Sequence, residues 1–252
     1  MDEQTPVTTE PVKSMSFTDK MVNIFASPGE LFDDVRMTPP TPSNWVIPML
    51  LFIVVAFLMA QVMFMNPSLV SQMSDLMRAG IDKMVEEGKL TPEQADQAAS
   101  FSKPGSTMFM IQQGAGILIL TPIVLFLLSL VYWLLARWGM KGTAPFMKVV
   151  EVVGLTFFIS IAESIVTTIL MFVMDSLTAT PSLGAFVSDF DHSNKLHSAL
   201  AKMNIFTFWD LSVVSIGLSR LFQRDLPKVL VIVFALWIVW TVFSVLTGFQ
   251  MG

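Results

Sequence analysis

The sequence contains no cysteine, and it is also poor in histidine, tyrosine and charged residues. The absence of cysteine excludes disulfides, thiolate metal sites, cysteine nucleophiles and palmitoylation. Aspartate, glutamate, lysine and arginine make up 14% of the chain, whereas a soluble domain carries about 25%. Because a surface in contact with water needs charged side chains, this deficit indicates that much of the surface faces lipid.

Several classes of function are excluded by what else is missing. The net charge of −5 leaves no global basic field, so no nucleic-acid partner is predicted. No G-x-S-x-G, P-loop, H-E-x-x-H or Rossmann pattern occurs. His192 and His197, with Asp189 and Asp191 nearby, lie in a polar loop whose spacing does not specify a metal site. The sequence therefore predicts a protein that is not an enzyme and that needs neither a cofactor nor a metal.

Long apolar runs are what the sequence has in abundance. Hydrophobic residues make up 53% of the chain and the mean hydropathy is +0.65, and about 20 apolar residues suffice for a helix to cross a bilayer. The fourth apolar run is short and contains Asp210. We count it as a membrane span because the basic residues Arg220 and Arg224 follow its end and would stop it from extending farther. The pattern predicts an all-α, polytopic membrane protein, a bundle of about five transmembrane helices, with spans near residues 45–65, 109–136, 146–174, 203–219 and 229–250.

The positions of the basic residues predict the orientation of these spans. If the N-terminus is cytoplasmic, two short cytoplasmic turns hold or adjoin Arg137, Lys141, Lys148, Arg220, Arg224 and Lys228. The lysines and arginines of the other side are spread over two much longer loops. Because the positive-inside rule depends mainly on short loops, it favours a cytoplasmic N-terminus and an external C-terminus.

Two segments precede the first span. Residues 1–14 are acidic and rich in proline and threonine, which is typical of a disordered tail. Residues 15–44 show apolar side chains at helical spacing and predict cytoplasmic amphipathic helices, the second of which begins at Ser27-Pro28-Gly29-Glu30, a capping-box pattern. Two interpretations stay open, because such helices could pack on the protein's own cytoplasmic side or lie on the lipid surface.

The long connection between the first two spans predicts a helical hairpin outside the membrane, over residues 67–101. Asn66-Pro67 is typical of a helix start, and Gly88 is suited to the position just after a helix end. Thr91 to Gln94 then has the pattern of a second capping box.

Carboxylates inside predicted spans are the strongest candidates for functional groups. Glu163 lies near the bilayer midplane and Asp210 about a third of the way into the fourth span. Charged side chains at such depths cost about 2.5–3.5 kcal/mol and commonly mark functional sites. Glu151, by contrast, is interpreted as one partner of a surface pair with Lys148, three residues earlier.

The order of several short motifs resembles the Yip (Ypt/Rab-interacting-protein-like) family, in its bacterial branch. The motifs are FASPGELF at 25–32, WVIP at 45–48, and NIFTFW at 204–209 followed by IGL at 216–218. The family-motif positions are Ser27, Pro28, Phe32, Pro48, Phe206, Trp209 and Gly217. The resemblance implies a five-helix bundle with a cytoplasmic N-terminus, here in a bacterial cytoplasmic membrane. In eukaryotic relatives it implies binding of prenylated Rab-type GTPases, but the D-L-Y-G-P motif of those members is absent.

Two functional hypotheses follow from these patterns. The first is a non-enzymatic scaffold or accessory subunit in membrane organisation or trafficking. Independently of that role, the predicted partners are the lipid bilayer and either a protein partner or a second copy of the chain. The alternative is a transporter or channel component that uses Glu163 and Asp210. An intramembrane hydrolase is disfavoured, since no nucleophile–base pair is available.

Overall fold

The structure, a computed structural model, describes residues 14–139, 142–191 and 193–248. These residues form ten α-helices and one short 3₁₀ turn, and they include no strand. The helices α3, α6, α7, α9 and α10 are long and apolar enough to cross a membrane. The predicted all-α fold with five such helices is therefore confirmed. The helices are α1 (Phe17–Ala26), α2 (Pro28–Met37), α3 (Ser43–Met63), α4 (Pro67–Glu86), α5 (Pro92–Phe101), α6 (Thr107–Gly139), α7 (Phe146–Met174), α8 (Lys195–Lys202), α9 (Ile205–Phe222) and α10 (Leu226–Thr247).

Two of the sequence-based predictions reach beyond these residues. The predicted disordered tail lies outside the described residues except for Ser14, and so does the end of the predicted fifth span. His192 lies outside them as well.

Helices α3 and α7 pack side by side in parallel and form the centre of the bundle. Trp45 at the start of α3 packs against Gly154, and Asn66, just after α3, donates a hydrogen bond to Asp175 at the end of α7 (2.6 Å). Both contacts join residues that are 109 positions apart in the sequence, so the two helices run in the same direction. The first six residues of α7 therefore extend beyond the start of α3, on the side of the molecule where α1 and α2 lie. We call this the N-terminal side.

The buried core lies at the N-terminal side and not at the middle of the spans. Every residue from Lys148 to Thr156 of α7 is buried, because α1, α2, α3, α6 and α9 surround this part of the helix. The second half of α7 exposes apolar side chains, among them Ile165, Ile169 and Val173. In a chain with five membrane-length helices, such a surface faces lipid.

Helices α1 and α2 pack on the body of the protein, which decides between the two interpretations left open by the sequence. Ile24, Leu31, Phe32 and Val35 are fully or almost fully buried against α7 and α9. The predicted capping box at Ser27 is wrong, since Ser27 precedes α2 but makes no side-chain cap hydrogen bond.

The chain between α3 and α6 forms the helical pair α4 and α5. Asn66 caps α4, Thr91 and Gln94 form a capping box at α5, and Gly88 has a positive φ of 69° just after α4. Gln72 joins α4 to the end of α7, because its amide donates to the Asp175 carbonyl (2.7 Å) and accepts from the Leu177 amide (3.1 Å).

Helix α9 begins level with the middle of α7. Asn204, its N-cap, donates to the Glu163 carboxylate (2.6 Å), whereas Gly217 packs against Val152. The eleven residues of α7 that follow Glu163, up to Met174, extend roughly 16 Å farther at 1.5 Å per residue. The segment before α9 forms backbone hydrogen bonds of its own beside this part of α7. The Leu183 amide, for example, donates to the Met203 carbonyl (3.1 Å).

Candidate functional site

Several family-motif residues meet where α2 crosses α9 and α7. A Cβ atom on Gly217 would lie 3.1 Å from the ring of Phe32 and closer still to Val152. The glycine therefore lets α2 approach α9 at a distance that a side chain would prevent. We call the contact region of α1 and α2 with the facing ends of α3, α7 and α9 the N-terminal joint.

Aromatic rings extend the N-terminal joint along α9. The ring of Trp209 lies 5.5 Å from Phe25 of α1 in an edge-on arrangement and 6.1 Å from Phe206. Pro28 occupies the first turn of α2, where its missing amide hydrogen removes no helical bond, and Pro48 is buried near the start of α3. The motif residues are thus packing residues, whose spacing positions α1 and α2.

A buried ion pair lies at the centre of the N-terminal joint. The Lys148 ammonium group contacts the Glu151 carboxylate at 3.0 Å, and the side chains are only 5% and 1% exposed. Lys148 also donates to the carbonyls of Val35 (2.6 Å) and Pro39 (3.1 Å) at the end of α2 and in the following linker. All three N–H donors of the ammonium group therefore have acceptors.

The Glu151 carboxylate is equally well satisfied. It accepts hydrogen bonds from the backbone amide of Thr41 (3.1 Å) and from the side-chain amide of Asn44. The expectation of a surface pair between Lys148 and Glu151 is wrong, because α2 and the linker to α3 cover this face of α7. A spacing of three residues on one helix carries no information about what covers that helix.

A second buried ion pair continues the network into α1 and α2. Lys20 of α1 lies 3.1 Å from the Asp34 carboxylate of α2 and 3.5 Å from the side-chain oxygen of Asn44. Asp34 in turn accepts from the backbone amide of Met15 (2.9 Å). Asn44 thus links the two ion pairs, because it contacts Lys20 of one pair and Glu151 of the other. The buried charges, two lysines and two carboxylates, balance within the N-terminal joint.

The predicted site residue Glu163 lies deeper in the bundle, apart from this network. Beyond its bond with Asn204, it lines an open cavity of about 450 Å³ between α3 and α7. The same cavity is lined by the hydroxyl-bearing residues Ser160, Ser164, Thr167 and Thr168. The partly buried carboxyl group of Glu163 and these hydroxyl groups therefore form a polar strip in the otherwise apolar lining of the cavity.

The second predicted site residue, Asp210, lies near the first. It lies in α9, which packs against α7 and whose N-cap Asn204 donates to Glu163. The structure thus brings Glu163 and Asp210 into one region, on the neighbouring helices α7 and α9. It does not bring them together with the family-motif glycine Gly217, which lies two turns farther toward the N-terminal side.

His197 lies in the first turn of α8 and not in the predicted loop, and it makes local contacts. The Nδ1 atom of His197 accepts from the backbone amide of Asp191 (3.1 Å), and its ring lies 5.6 Å from Phe190. Within the described ranges, no group of three or more histidine, aspartate or glutamate side chains is arranged to hold a metal ion.

The sequence alone does not reveal that Lys20, Asn44 and Asn204 contact acidic residues, as they do in the structure. Asn44 stands directly before an apolar run, and Asn204 stands at a helix start, so both could be explained as ordinary boundary residues. An asparagine at such a position gives no sign that its side chain reaches a second helix.

Comparison with known proteins gives one finding. The family model described as the Yip1 domain matches residues 22–248. The match covers most of the chain and includes all seven family-motif positions. Neither a curated protein nor a solved structure matches the chain.

Proposed function

The chain belongs to the Yip1-domain family of integral membrane proteins, and from this premise we propose that it is a non-enzymatic scaffold or accessory subunit in membrane organisation or trafficking. The supporting observation is the N-terminal joint. Two buried ion pairs and a glycine contact hold α1 and α2 against the spans. A surface held in one orientation loses little conformational entropy when a partner binds.

We further propose that the protein lies in a bacterial cytoplasmic membrane, with the N-terminus in the cytoplasm and the C-terminus outside. Arg36, Arg220 and Arg224 line one cavity on the N-terminal side. This concentration of arginine supports a cytoplasmic N-terminal side by the positive-inside rule.

The scaffold proposal is tested by affinity purification of the tagged chain from its native membrane, with mass spectrometry against a mock-tagged control. Deletion of α1 and α2 is unsuitable, because it would remove Ile24, Phe32 and other core side chains. Exposed residues are better targets. Leu76 and Met84 are each 42% exposed on α4, and Met37 is 62% exposed at the end of α2.

We expect a stoichiometric partner with the wild-type chain. If the partner binds α4, it should be lost in the double variant Leu76→Glu/Met84→Glu. If it binds α2, it should be lost in Met37→Glu. Ser71→Glu, which adds one negative charge at another exposed position on α4, is the control and should retain the partner. Recovery of a homo-oligomer with no other protein would contradict the scaffold function.

A specific observation favours transport as a second candidate function. Glu163 faces the cavity between α3 and α7, and four hydroxyl-bearing side chains line the same cavity. Ionisable groups in spans that face such cavities commonly belong to ion or proton pathways. In this hypothesis Glu163 carries the proton, and Asp210 of the neighbouring helix α9 is the second carboxyl group of the pathway.

The transport hypothesis predicts that Glu163→Gln abolishes proton flux while the protein stays folded. Glutamine keeps an oxygen that can accept from Asn204, but it cannot release a proton. The measurement is proton uptake into proteoliposomes that contain a pH-sensitive dye, under an imposed pH gradient. Thr167→Val, which changes another residue of the cavity without removing the carboxyl group, should retain flux. Equal flux in Glu163→Gln and the wild type would refute this mechanism.

A further inference from the structure

An arginine-lined cavity of about 600 Å³ lies on the N-terminal side, between α2 and the turn that joins α9 to α10. It is distinct from the buried ion pairs and from the cavity beside Glu163. It is lined by residues of α2, of the end of α9, of the turn and of the first position of α10.

The charged residues of this lining are not balanced. Arg36, Arg220 and Arg224 are the cations and Asp33 is the one carboxylate among the lining residues. Asp33 lies 3.7 Å from Arg36 and 3.3 Å from Arg220, so a single carboxylate serves two guanidinium groups. The Arg220 side chain is 52% exposed, which leaves part of it accessible to a ligand. The lining therefore carries an excess of two positive charges.

The start of α2 adds to the positive potential. A Cβ atom on Gly29 would lie 3.2 Å from a terminal nitrogen of Arg220, so the guanidinium group lies over the first turn of α2. Ser27 makes no side-chain cap hydrogen bond there. An arginine beside the positive end of a helix dipole is repelled, and a bound anion would relieve that repulsion.

The turn after α9 is held in one conformation. The Ser219 hydroxyl donates to the Arg224 carbonyl (2.6 Å), and the Arg224 amide donates to the Ser219 carbonyl (3.0 Å). Lys228, outside the cavity, donates to Asp225 (2.6 Å) and, with a smaller contribution from Arg224, holds the pKa of that carboxyl below its usual range. Arg224 is thus presented by a fixed turn, and Arg220 by the last turn of α9.

We propose that this cavity binds the phosphate-bearing headgroup of an anionic phospholipid. Arg220 and Arg224 lie at the end of α9 and in the turn to α10, where a span meets the membrane surface, and Arg36 of α2 faces the same cavity. The apolar Ile216 and Leu226 also line it. A free phosphate ion would use the arginines but not these apolar side chains. Basic cavities between transmembrane helices commonly bind such headgroups, and an excess of two positive charges matches a headgroup with two phosphodiesters.

The experiment measures lipid binding to the purified, delipidated full-length chain by native mass spectrometry. The probes are cardiolipin, phosphatidylglycerol, phosphatidylcholine and inorganic phosphate. The wild type should bind cardiolipin most tightly and phosphatidylcholine least. Arg220→Gln combined with Arg224→Gln should weaken cardiolipin binding roughly 25-fold, about fivefold for each arginine near the lipid surface.

The control is Arg78→Gln, which removes one positive charge, as Arg224→Gln alone does, from an exposed position on α4 and should leave cardiolipin binding unchanged. If the double variant does not fold, Arg224→Gln alone should give about a fivefold loss. Equal weakening by Arg78→Gln, or equal binding of cardiolipin and phosphatidylcholine, would overturn the proposal. Displacement of cardiolipin by inorganic phosphate would also overturn it, in favour of a soluble phosphate-bearing ligand.

Discussion

Replacing Gly154 with alanine is expected to destabilise the protein by about 3 kcal/mol or more, at the upper end of the range for overpacked cores. The new Cβ atom would lie 2.6 Å from the Cα atom of Trp45 and closer still to its Cβ. A backbone atom cannot turn away as a side chain can, so α3 and α7 would have to separate. The apparent Tm in detergent should fall by roughly 6 °C or more.

The control for this prediction is Gly116→Ala in α6, because an added Cβ there has no heavy atom within 4 Å. Alanine has a higher helix propensity than glycine, so this variant should be neutral or slightly more stable. Both proteins are compared by thermal unfolding with size-exclusion chromatography. A Gly154→Ala protein as stable as Gly116→Ala would show that α3 and α7 do not pack as closely as described.

Replacing Lys148 with methionine is expected to cost about 3–5 kcal/mol, the usual effect of removing one partner of a buried ion pair. The change leaves Glu151 as an unpaired carboxylate at a side-chain exposure of 1%. It also leaves the carbonyls of Val35 and Pro39 without their donor. Because these carbonyls belong to α2 and the following linker, the amides of α1 and α2 should exchange hydrogen faster.

A double-mutant cycle distinguishes this effect from a simple loss of packing. Lys148→Met combined with Glu151→Gln removes both charges, so it should be less destabilised than the sum of the two single changes. The surface pair of Lys228 and Asp225 provides the control, since Lys228→Met removes a lysine whose side chain is 77% exposed and should change stability little. Additive effects at Lys148 and Glu151, measured by unfolding in mixed micelles, would contradict the buried pair.

The position of the N-terminal joint links these predictions to function. Since α1 and α2 contribute buried side chains to the same core as α7 and α9, a change at Lys148 should affect any partner that binds to them. Variants of exposed residues are therefore needed to separate loss of binding from loss of folding.

The sequence by itself determined the fold class, the five membrane-length helices and several helix boundaries. These features are local: an apolar run of sufficient length crosses a bilayer, and a cap such as Asn66 or Thr91 bonds to residues two or three positions away. The resemblance at residues 25–32 and 204–218 was also visible in the sequence, and the Yip1-domain match confirms it.

The tertiary structure alone decided which polar residues are buried and which of them meet. Glu151, Thr41, Asn44, Lys148 and Val35 are joined by hydrogen bonds across 107 to 113 positions of the sequence. Asn204 likewise reaches Glu163, and Arg220 reaches Asp33, from another helix. In a membrane protein both lipid-facing and protein-facing surfaces are apolar, so the pattern of one helix does not reveal its neighbours. Packing decides that, and with it the surroundings of each charged group.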